Sequence, residues 1–193
     1  MYRCVALEAS RRGLTPDNAE AAAGIAESAQ IEFAAGEPQR VLLDGEDVTE
    51  AIRRPDIGDF ASAVSVHSAV RKKLVEQQKT IVAGGGVILE GRDTTTVVAP
   101  GADVKIFLTA GIEVRAKRRY DELSAKGMPV DLEELRGQIR ERDTRDTTRE
   151  DSPLTLAPGA TRIDTDAMSI DEVVAEVERL ATAAHSTGPM RNH

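Results

Sequence analysis

Residues 87–93 read Val-Ile-Leu-Glu-Gly-Arg-Asp, a short apolar run that ends in two acids and one arginine. The apolar part is typical of a buried parallel strand, and further strands are predicted at 105–108 and 161–165. Helices are predicted between these strands, at 111–126 and from 132 onward. Alternating strands and helices predict an α/β domain with a parallel sheet.

Two capping boxes mark helix starts in this part of the chain. Asp131 with Glu134 opens the helix after residue 131, and Ser169 with Glu172 opens a final helix. The last residues, 185–193, are polar and are expected to be disordered.

The first part of the chain has a different pattern. A helix is predicted over 1–12 and a second over 15–30, with Thr15 as its N-cap and Pro16 at its first helical position. Between 31 and 54, short alternating segments are separated by Gly-Glu-Pro and Asp-Gly turn signals. This pattern predicts a small antiparallel sheet.

One long helix is predicted over 59–80, because Val66, Val70 and Leu74 recur at intervals of four residues. Gly84–Gly86 ends it. This glycine run resembles a phosphate-binding loop only in composition, since no Lys-Ser or Lys-Thr follows it, and it is interpreted as a connector.

Composition restricts the classes of function. The chain has 193 residues, with 33 acids against 25 bases, and only 3% of its residues are aromatic. An acidic balance and few stacking side chains argue against a nucleic-acid binder. No apolar run is long enough for a transmembrane helix, and a single cysteine suits a reducing compartment. We therefore expect a cytoplasmic protein with no nucleic-acid or membrane partner. We also expect a monomer.

The strongest local signal for a ligand site is Glu90-Gly-Arg-Asp93, at the carboxyl end of the predicted strand. Ligands of open parallel sheets bind beyond the carboxyl ends of the strands, so these charged side chains are placed to reach one. The alternative is a solvated turn held by an internal ion pair.

A second signal is the arginine-rich segment 140–152. In a helix, Arg142, Arg145 and Arg149 would share one face and repel each other unless an anion lay between them. The neighbouring threonines lower helix propensity, which suits a segment that closes over a ligand. The equally weighted alternative is a solvated face with intrahelical pairs such as Arg142 with Asp146.

Other candidates are weaker. The three histidines are isolated, so no metal site is predicted. Cys4 has no histidine at a useful spacing and is interpreted as a small buried apolar residue rather than a nucleophile.

Five segments together resemble the bacterial cytidylate kinases: Met1-Tyr-Arg3 and residues 41–58, 61–74, 90–98 and 140–154. The resemblance implies a P-loop NTPase-like parallel-sheet core that lacks its N-terminal strand and P-loop. It also implies a small antiparallel-sheet CMP-binding insertion and an Arg-rich lid. The implied divisions are core at 1–29, 76–139 and 153–184, the CMP-binding domain at 30–75, and the lid at 140–152.

The resemblance also implies roles for individual residues. Ser62, Arg71 and Asp93 would read cytosine, and Tyr2 would border the nucleotide. Arg3, Arg92 and Arg149 would hold the acceptor phosphate, while Arg142 and Asp146 would contact the sugar and phosphate from the lid. The implied catalytic residues are Arg92, Arg142 and Arg149.

The implied reaction is transfer of the γ-phosphoryl group of ATP to CMP or dCMP with Mg²⁺. Catalysis would consist mainly of positioning two anions and neutralising the developing charge. One departure is the run Thr94-Thr-Thr96. The family often has a glycine at its second position, which is Thr95 here, and this puts the local turn geometry in question.

The sequence contains no G-x-x-x-x-G-K-[ST] motif, which P-loop kinases use to hold ATP, so the ATP-binding residues cannot be assigned. We expect an incomplete gene product or a mis-assigned start, with little or no turnover by the 193 residues alone. The alternative is a catalytically inactive remnant that binds CMP without phosphoryl transfer. An RNA-associated protein is a third and weaker alternative.

Overall fold

The computed structural model describes residues 1–187. The chain divides into two compact units, Met1–Ile88 and a second unit that begins at Leu89. None of the described helices is long and apolar enough to cross a membrane.

The first unit combines four helices with a small antiparallel sheet of order β1-β2-β3, which confirms the sheet predicted between 31 and 54. Asp44 and Gly45 both have positive φ (50° and 83°) in the tight turn between β2 and β3. This is the conformation that Asp-Gly favours in a two-residue hairpin. The elements are α1 (Tyr2–Arg11), α2 (Ala19–Ser28), β1 (Ile31–Ala34), β2 (Arg40–Leu43), β3 (Glu46–Asp47), a 3₁₀ turn (Ala51–Arg53), α3 (Pro55–Val64) and α4 (Ser68–Ala83).

The predicted start of the second helix is wrong. It begins at Ala19 rather than at Thr15-Pro16, and Asn18 is its N-cap, accepting a hydrogen bond from the Ala21 N–H at 3.1 Å. The Thr15 carbonyl instead accepts a bond from the Asn18 N–H and closes a turn. Asparagine is as good a cap as threonine, so the two starts compete on local sequence alone.

The single helix predicted over 59–80 is two helices, α3 and α4, separated by residues 65–67. The Ser65 hydroxyl donates to the Ser62 carbonyl at 2.8 Å, and the His67 ring contacts the Pro16 carbonyl at 2.7 Å. These polar contacts stabilise the break. Val66 lies in it and is 39% exposed, so it does not continue the apolar stripe of Val70 and Leu74.

Leu74→Ala tests the core of the first unit. Leu74 is fully buried in a cluster with α1 residues such as Val5, so we expect truncation to lower the free energy of unfolding by about 2–5 kcal/mol. Val66→Ala is the control and is expected to cost less than about 1 kcal/mol. Urea unfolding measures both, and equal losses would contradict this packing.

The second unit contains a two-stranded parallel sheet in which β4 pairs with β5, Ile106 opposite Thr161 and Thr109 opposite Asp164. This confirms the predicted strands at 105–108 and 161–165 and their parallel arrangement. The elements are a short π-helical turn (Thr94–Val98), β4 (Ile106–Thr109), α5 (Ile112–Ala125), α6 (Leu132–Thr148), β5 (Thr161–Asp164) and α7 (Ile170–Thr187).

The predicted helix starts of this unit are confirmed. Asp131 caps α6 by accepting from the Glu134 N–H at 2.8 Å. At the start of α7, the Glu172 carboxylate accepts from the Ser169 N–H at 2.8 Å, and the Glu172 N–H donates back to the Ser169 hydroxyl at 3.3 Å. This reciprocal pair is a capping box.

The strand predicted at 87–91 is wrong. These residues are not in a strand, and Ile88 is 98% exposed. A short apolar run predicts burial, but a strand also needs a hydrogen-bonded neighbour, and periodicity does not specify one. The parallel sheet therefore has two strands within residues 1–187.

The predicted disorder of 185–193 is wrong for its first three residues. Residues 185–187 continue α7, where the Ser186 hydroxyl donates to the Thr182 carbonyl one turn earlier at 3.0 Å, so a polar side chain is satisfied within the helix. The remaining part of this prediction, 188–193, lies outside the described residues.

Candidate functional site

In the first unit, α1 and α4 bring Tyr2 and Arg71 together. The guanidinium carbon of Arg71 lies 5.7 Å from the centre of the Tyr2 ring, within the range of a cation–π contact. Arg71 is buried, and its Nη1 donates to the Ser65 carbonyl at 3.2 Å. These contacts hold the guanidinium of Arg71 in place.

Arg3 and Ser62 also lie in the first unit. Arg3 Nη1 donates to the Ile52 carbonyl at 2.8 Å, in the 3₁₀ turn before α3. Ser62 is buried on α3. Gly58, also on α3, faces Arg3 closely: a Cβ there would lie 3.0 Å from Arg3 Nη2.

Gly58 was not singled out from the sequence as a candidate residue. It is the last residue of the segment 41–58, and that segment was the available signal. A Cβ at this position would force the Arg3 guanidinium to move by a few tenths of an ångström, so glycine lets Arg3 lie against α3 in its present position.

In the second unit, Asp146 of α6 is the centre of a cluster of arginines. Its Oδ2 lies 3.0 Å from Arg92 Nε and 3.9 Å from Arg142 Nε, and its Oδ1 lies 3.6 Å from Arg149 Nη1. We call Arg92, Arg142 and Arg149 around Asp146 the guanidinium cluster. Four of the predicted site residues are thus brought together.

The guanidinium cluster is buried on one side and open to solvent on the other. The side chains of Arg149 and Asp146 are each 5% exposed, while those of Arg92 and Arg142 are 41% and 45% exposed. The arrangement therefore suits an anion with several acceptor oxygens, approaching from the exposed side of Arg92 and Arg142.

The prediction that Arg142, Arg145 and Arg149 share one helical face is wrong in detail. α6 ends at Thr148, so Arg149 lies beyond the helix, where its Nε donates to the Ser152 carbonyl at 2.7 Å. Arg145 pairs with Glu141 at 2.9 Å. The alternative intrahelical pair of Arg142 with Asp146 is present, though as part of the larger cluster.

The threonines of the 140–152 segment do not interrupt α6. Their hydroxyls donate to carbonyls one turn earlier: Thr144 to Arg140 at 3.0 Å, and Thr148 to Thr144 at 2.8 Å. A threonine hydroxyl can be satisfied inside a helix in this way, so the low propensity of the residue is offset.

Asp93 is buried at the start of the π-helical turn. Its carbonyl accepts from the N–H groups of Val97 at 2.9 Å and Thr96 at 3.3 Å, which fixes the backbone that carries the carboxylate. Thr95 does not have a positive φ. Glycine is not needed there, and the question raised by the three threonines is resolved.

Cys4 is fully buried, and burial raises the pKa of its thiol. A thiol with a raised pKa is a poor nucleophile, which agrees with its interpretation as a core residue. Within residues 1–187, no group of three or more His, Cys, Asp or Glu side chains is arranged to hold a metal ion.

Comparison with known proteins identifies the family. The sequence model described as cytidylate kinase matches residues 1–183. The chain is 46% identical over 182 residues to a cytidylate kinase of Limosilactobacillus reuteri (strain DSM 20016), covering 93% of this chain and 80% of that protein. It is 45% identical over 190 residues to a cytidylate kinase of Geobacter sulfurreducens, covering 98% and 82%.

A third relative has a second activity in its name. A bifunctional pantoate ligase/cytidylate kinase of Synechococcus sp. (strain JA-3-3Ab) is 45% identical over 184 residues, which cover 93% of this chain and 34% of that protein. The matches, together with an α/β fold in which three arginines surround Asp146, define a nucleoside monophosphate kinase. The chain belongs to the cytidylate kinase family.

Proposed function

We propose that this protein transfers the γ-phosphoryl group of ATP to CMP or dCMP, giving CDP or dCDP. The observation that carries the proposal is the guanidinium cluster: three arginines converge on one buried carboxylate in a chain of the cytidylate kinase family. Guanidinium groups form charge-assisted, often paired hydrogen bonds with the oxygens of a phosphate monoester, so three of them close together suit the phosphate of a nucleotide.

The chemistry is an in-line displacement. A phosphate oxygen of CMP attacks the γ-phosphorus of ATP, the bond from that phosphorus to the β-phosphate bridging oxygen breaks, and ADP leaves. Arg92, Arg142 and Arg149 hold the acceptor phosphate and neutralise the charge that develops on the transferred group. The protein forms no covalent intermediate in this scheme.

Base selection is assigned to Asp93 with Ser62 and Arg71. Cytosine presents an amino group that a carboxylate can accept, and ring acceptors that a guanidinium or hydroxyl can satisfy. Uracil presents a carbonyl where cytosine has the amino group, so its oxygen would face the Asp93 carboxylate. A buried group left without its partner is the basis on which such a site rejects an analogue.

Four further assignments complete the proposal. Arg3 adds to phosphate binding, Tyr2 borders the nucleotide, and Arg142 and Asp146 contact the sugar and phosphate from α6. Mg²⁺ is expected to bind the ATP phosphates and to neutralise part of their charge. This cation keeps much of its water shell and is held mainly by substrate phosphates, so it needs few protein ligands. No residue of this chain is assigned to it.

The test is a coupled assay of ADP release with CMP, dCMP and UMP as acceptors. It is run on the 193-residue chain and on a form in which a G-x-x-x-x-G-K-[ST] segment from a relative is joined before Met1. We expect the extended form to phosphorylate CMP and dCMP, and both forms to bind CMP by calorimetry. Turnover of UMP but not CMP by the extended form, or no CMP binding by either form, would contradict the proposal.

A further inference from the structure

Helices α5 and α6 are joined by two ion pairs. In one pair the arginine belongs to α6, and in the other it belongs to α5. In the first half of α6, Arg136 pairs with Glu113 of α5. Towards the end of α6, Asp143 accepts two hydrogen bonds from Arg115 of α5, with Nη1 to Oδ1 at 2.9 Å and Nη2 to Oδ2 at 2.6 Å. The second pair is the stronger kind, because parallel bonds between a guanidinium and a carboxylate fix direction as well as distance.

Arg115 makes a third bond that ties this pair to the sheet. Its Nε donates to the carbonyl of Ala110 at 3.0 Å, and Ala110 directly follows β4. One guanidinium therefore joins the end of β4, helix α5 and helix α6. The side chains of Arg115 and Asp143 are about one third exposed (34% and 31%), so water screens their interaction only partly.

The position of Asp143 links it to the guanidinium cluster. It is the neighbour of Arg142 and lies three residues before Asp146 in an uninterrupted helix. A contact that fixes Asp143 therefore also fixes the backbone positions of Arg142 and Asp146. Because Arg92 and Arg149 both pair with Asp146, a shift at Asp143 would be passed to the entire cluster.

We infer that Arg115 is a positioning residue for phosphate binding: its paired bonds to Asp143 set the guanidinium cluster in the geometry that a nucleoside monophosphate requires. The inference rests on the proposed function, since the cluster is taken to hold the phosphate of CMP. Arg115 acts through α6 and does not itself touch the nucleotide.

The experiment compares Arg115→Met with Arg136→Met as a matched control. Arg136→Met also removes an ion pair between α5 and α6, the pair with Glu113, but Arg136 lies seven residues before Asp143 in α6. Calorimetry measures the dissociation constant of CMP, and an NMR titration measures that of cytidine, which lacks the phosphate. We expect Arg115→Met to weaken CMP binding about tenfold, because small misplacements of binding groups are costly, and to leave cytidine within about twofold. Arg136→Met is expected to leave both within about twofold.

A ligand-free readout separates this inference from the proposed function. The Nε–H signal of Arg92 reports its pairing with Asp146, and that of Arg149 reports the bond to the Ser152 carbonyl that holds its guanidinium beside Asp146. Arg115→Met is expected to shift or broaden both signals, while Arg136→Met does not. Arg115→Lys, which keeps the charge but not the paired bonds, is expected to fall between the parent and Arg115→Met. Unchanged Nε–H signals, or equal weakening of CMP and cytidine, would overturn the positioning role. A parent chain that fails to bind CMP while the Nε–H signals respond would overturn the proposed function alone.

Discussion

Asp93→Asn is expected to reduce the preference for CMP over UMP by about 100-fold. An asparagine amide has the shape of the aspartate but can donate as well as accept, so it can pair with the uracil carbonyl that the carboxylate repels. Losing a hydrogen bond to a charged group costs about 1.5–3 kcal/mol, and admitting the competitor contributes the rest of the change. Dissociation constants of the two nucleotides, measured by calorimetry on both proteins, give the ratio.

Glu90→Gln is the matched control for this prediction. It removes the same charge from an exposed carboxylate three residues earlier in the chain. We expect its preference for CMP over UMP to stay within about twofold of the parent. If Glu90→Gln changed the ratio as much as Asp93→Asn, net charge rather than a contact with the base would be responsible, and the assignment of Asp93 would be wrong.

Arg149→Met is expected to lower kcat/KM for CMP by about 1,000-fold in the extended form, which has a G-x-x-x-x-G-K-[ST] segment joined before Met1. Its guanidinium is held by the Ser152 carbonyl and lies beside the buried Asp146 carboxylate, so it is positioned before any ligand arrives. Arginines that stabilise charge in phosphoryl transfer are worth about 10³–10⁵ in rate. Steady-state kinetics with varied CMP measures the loss.

Arg145→Met is the control for Arg149→Met. Arg145 is four residues earlier and pairs with the exposed Glu141 at 2.9 Å. We expect it to change kcat/KM less than about threefold. A thermal unfolding curve for Arg149→Met accompanies the kinetics, because Asp146 retains Arg92 and the variant should remain folded. A folded Arg149→Met protein with parental kinetics would remove Arg149 from the catalytic residues.

Much of the secondary structure could be predicted from local signals. The capping residues Asp131 and Ser169 and the Asp-Gly turn at 44–45 each satisfy their own backbone neighbours, so a short window of sequence contains the information. The parallel pairing of 105–108 with 161–165 also followed, because alternating strands and helices leave few topologies.

The wrong predictions depend on contacts between distant residues. The strand at 87–91 required a partner strand that its own sequence does not name. The break between α3 and α4 is stabilised by the contact of His67 with Pro16, 51 residues away in the chain. No periodicity within 59–80 indicates that contact.

The candidate site shows the same division. Spacing on a helix predicted that Arg142 and Asp146 could pair, and they do. That Arg92 joins the same carboxylate depends on the tertiary fold, as does the role we infer for Arg115, whose partner Asp143 is 28 residues away. The resemblance to the family placed Arg92 and Arg149 in one site, which local reasoning alone would not have done.

The most direct test of the account is a crystal structure of the protein with CMP bound. We predict that the phosphate oxygens lie within about 3 Å of the guanidinium nitrogens of Arg92 and Arg149, with the cytosine amino group donating to the Asp93 carboxylate. A phosphate bound away from the guanidinium cluster, or a cytosine ring with no contact to Asp93, would contradict the account.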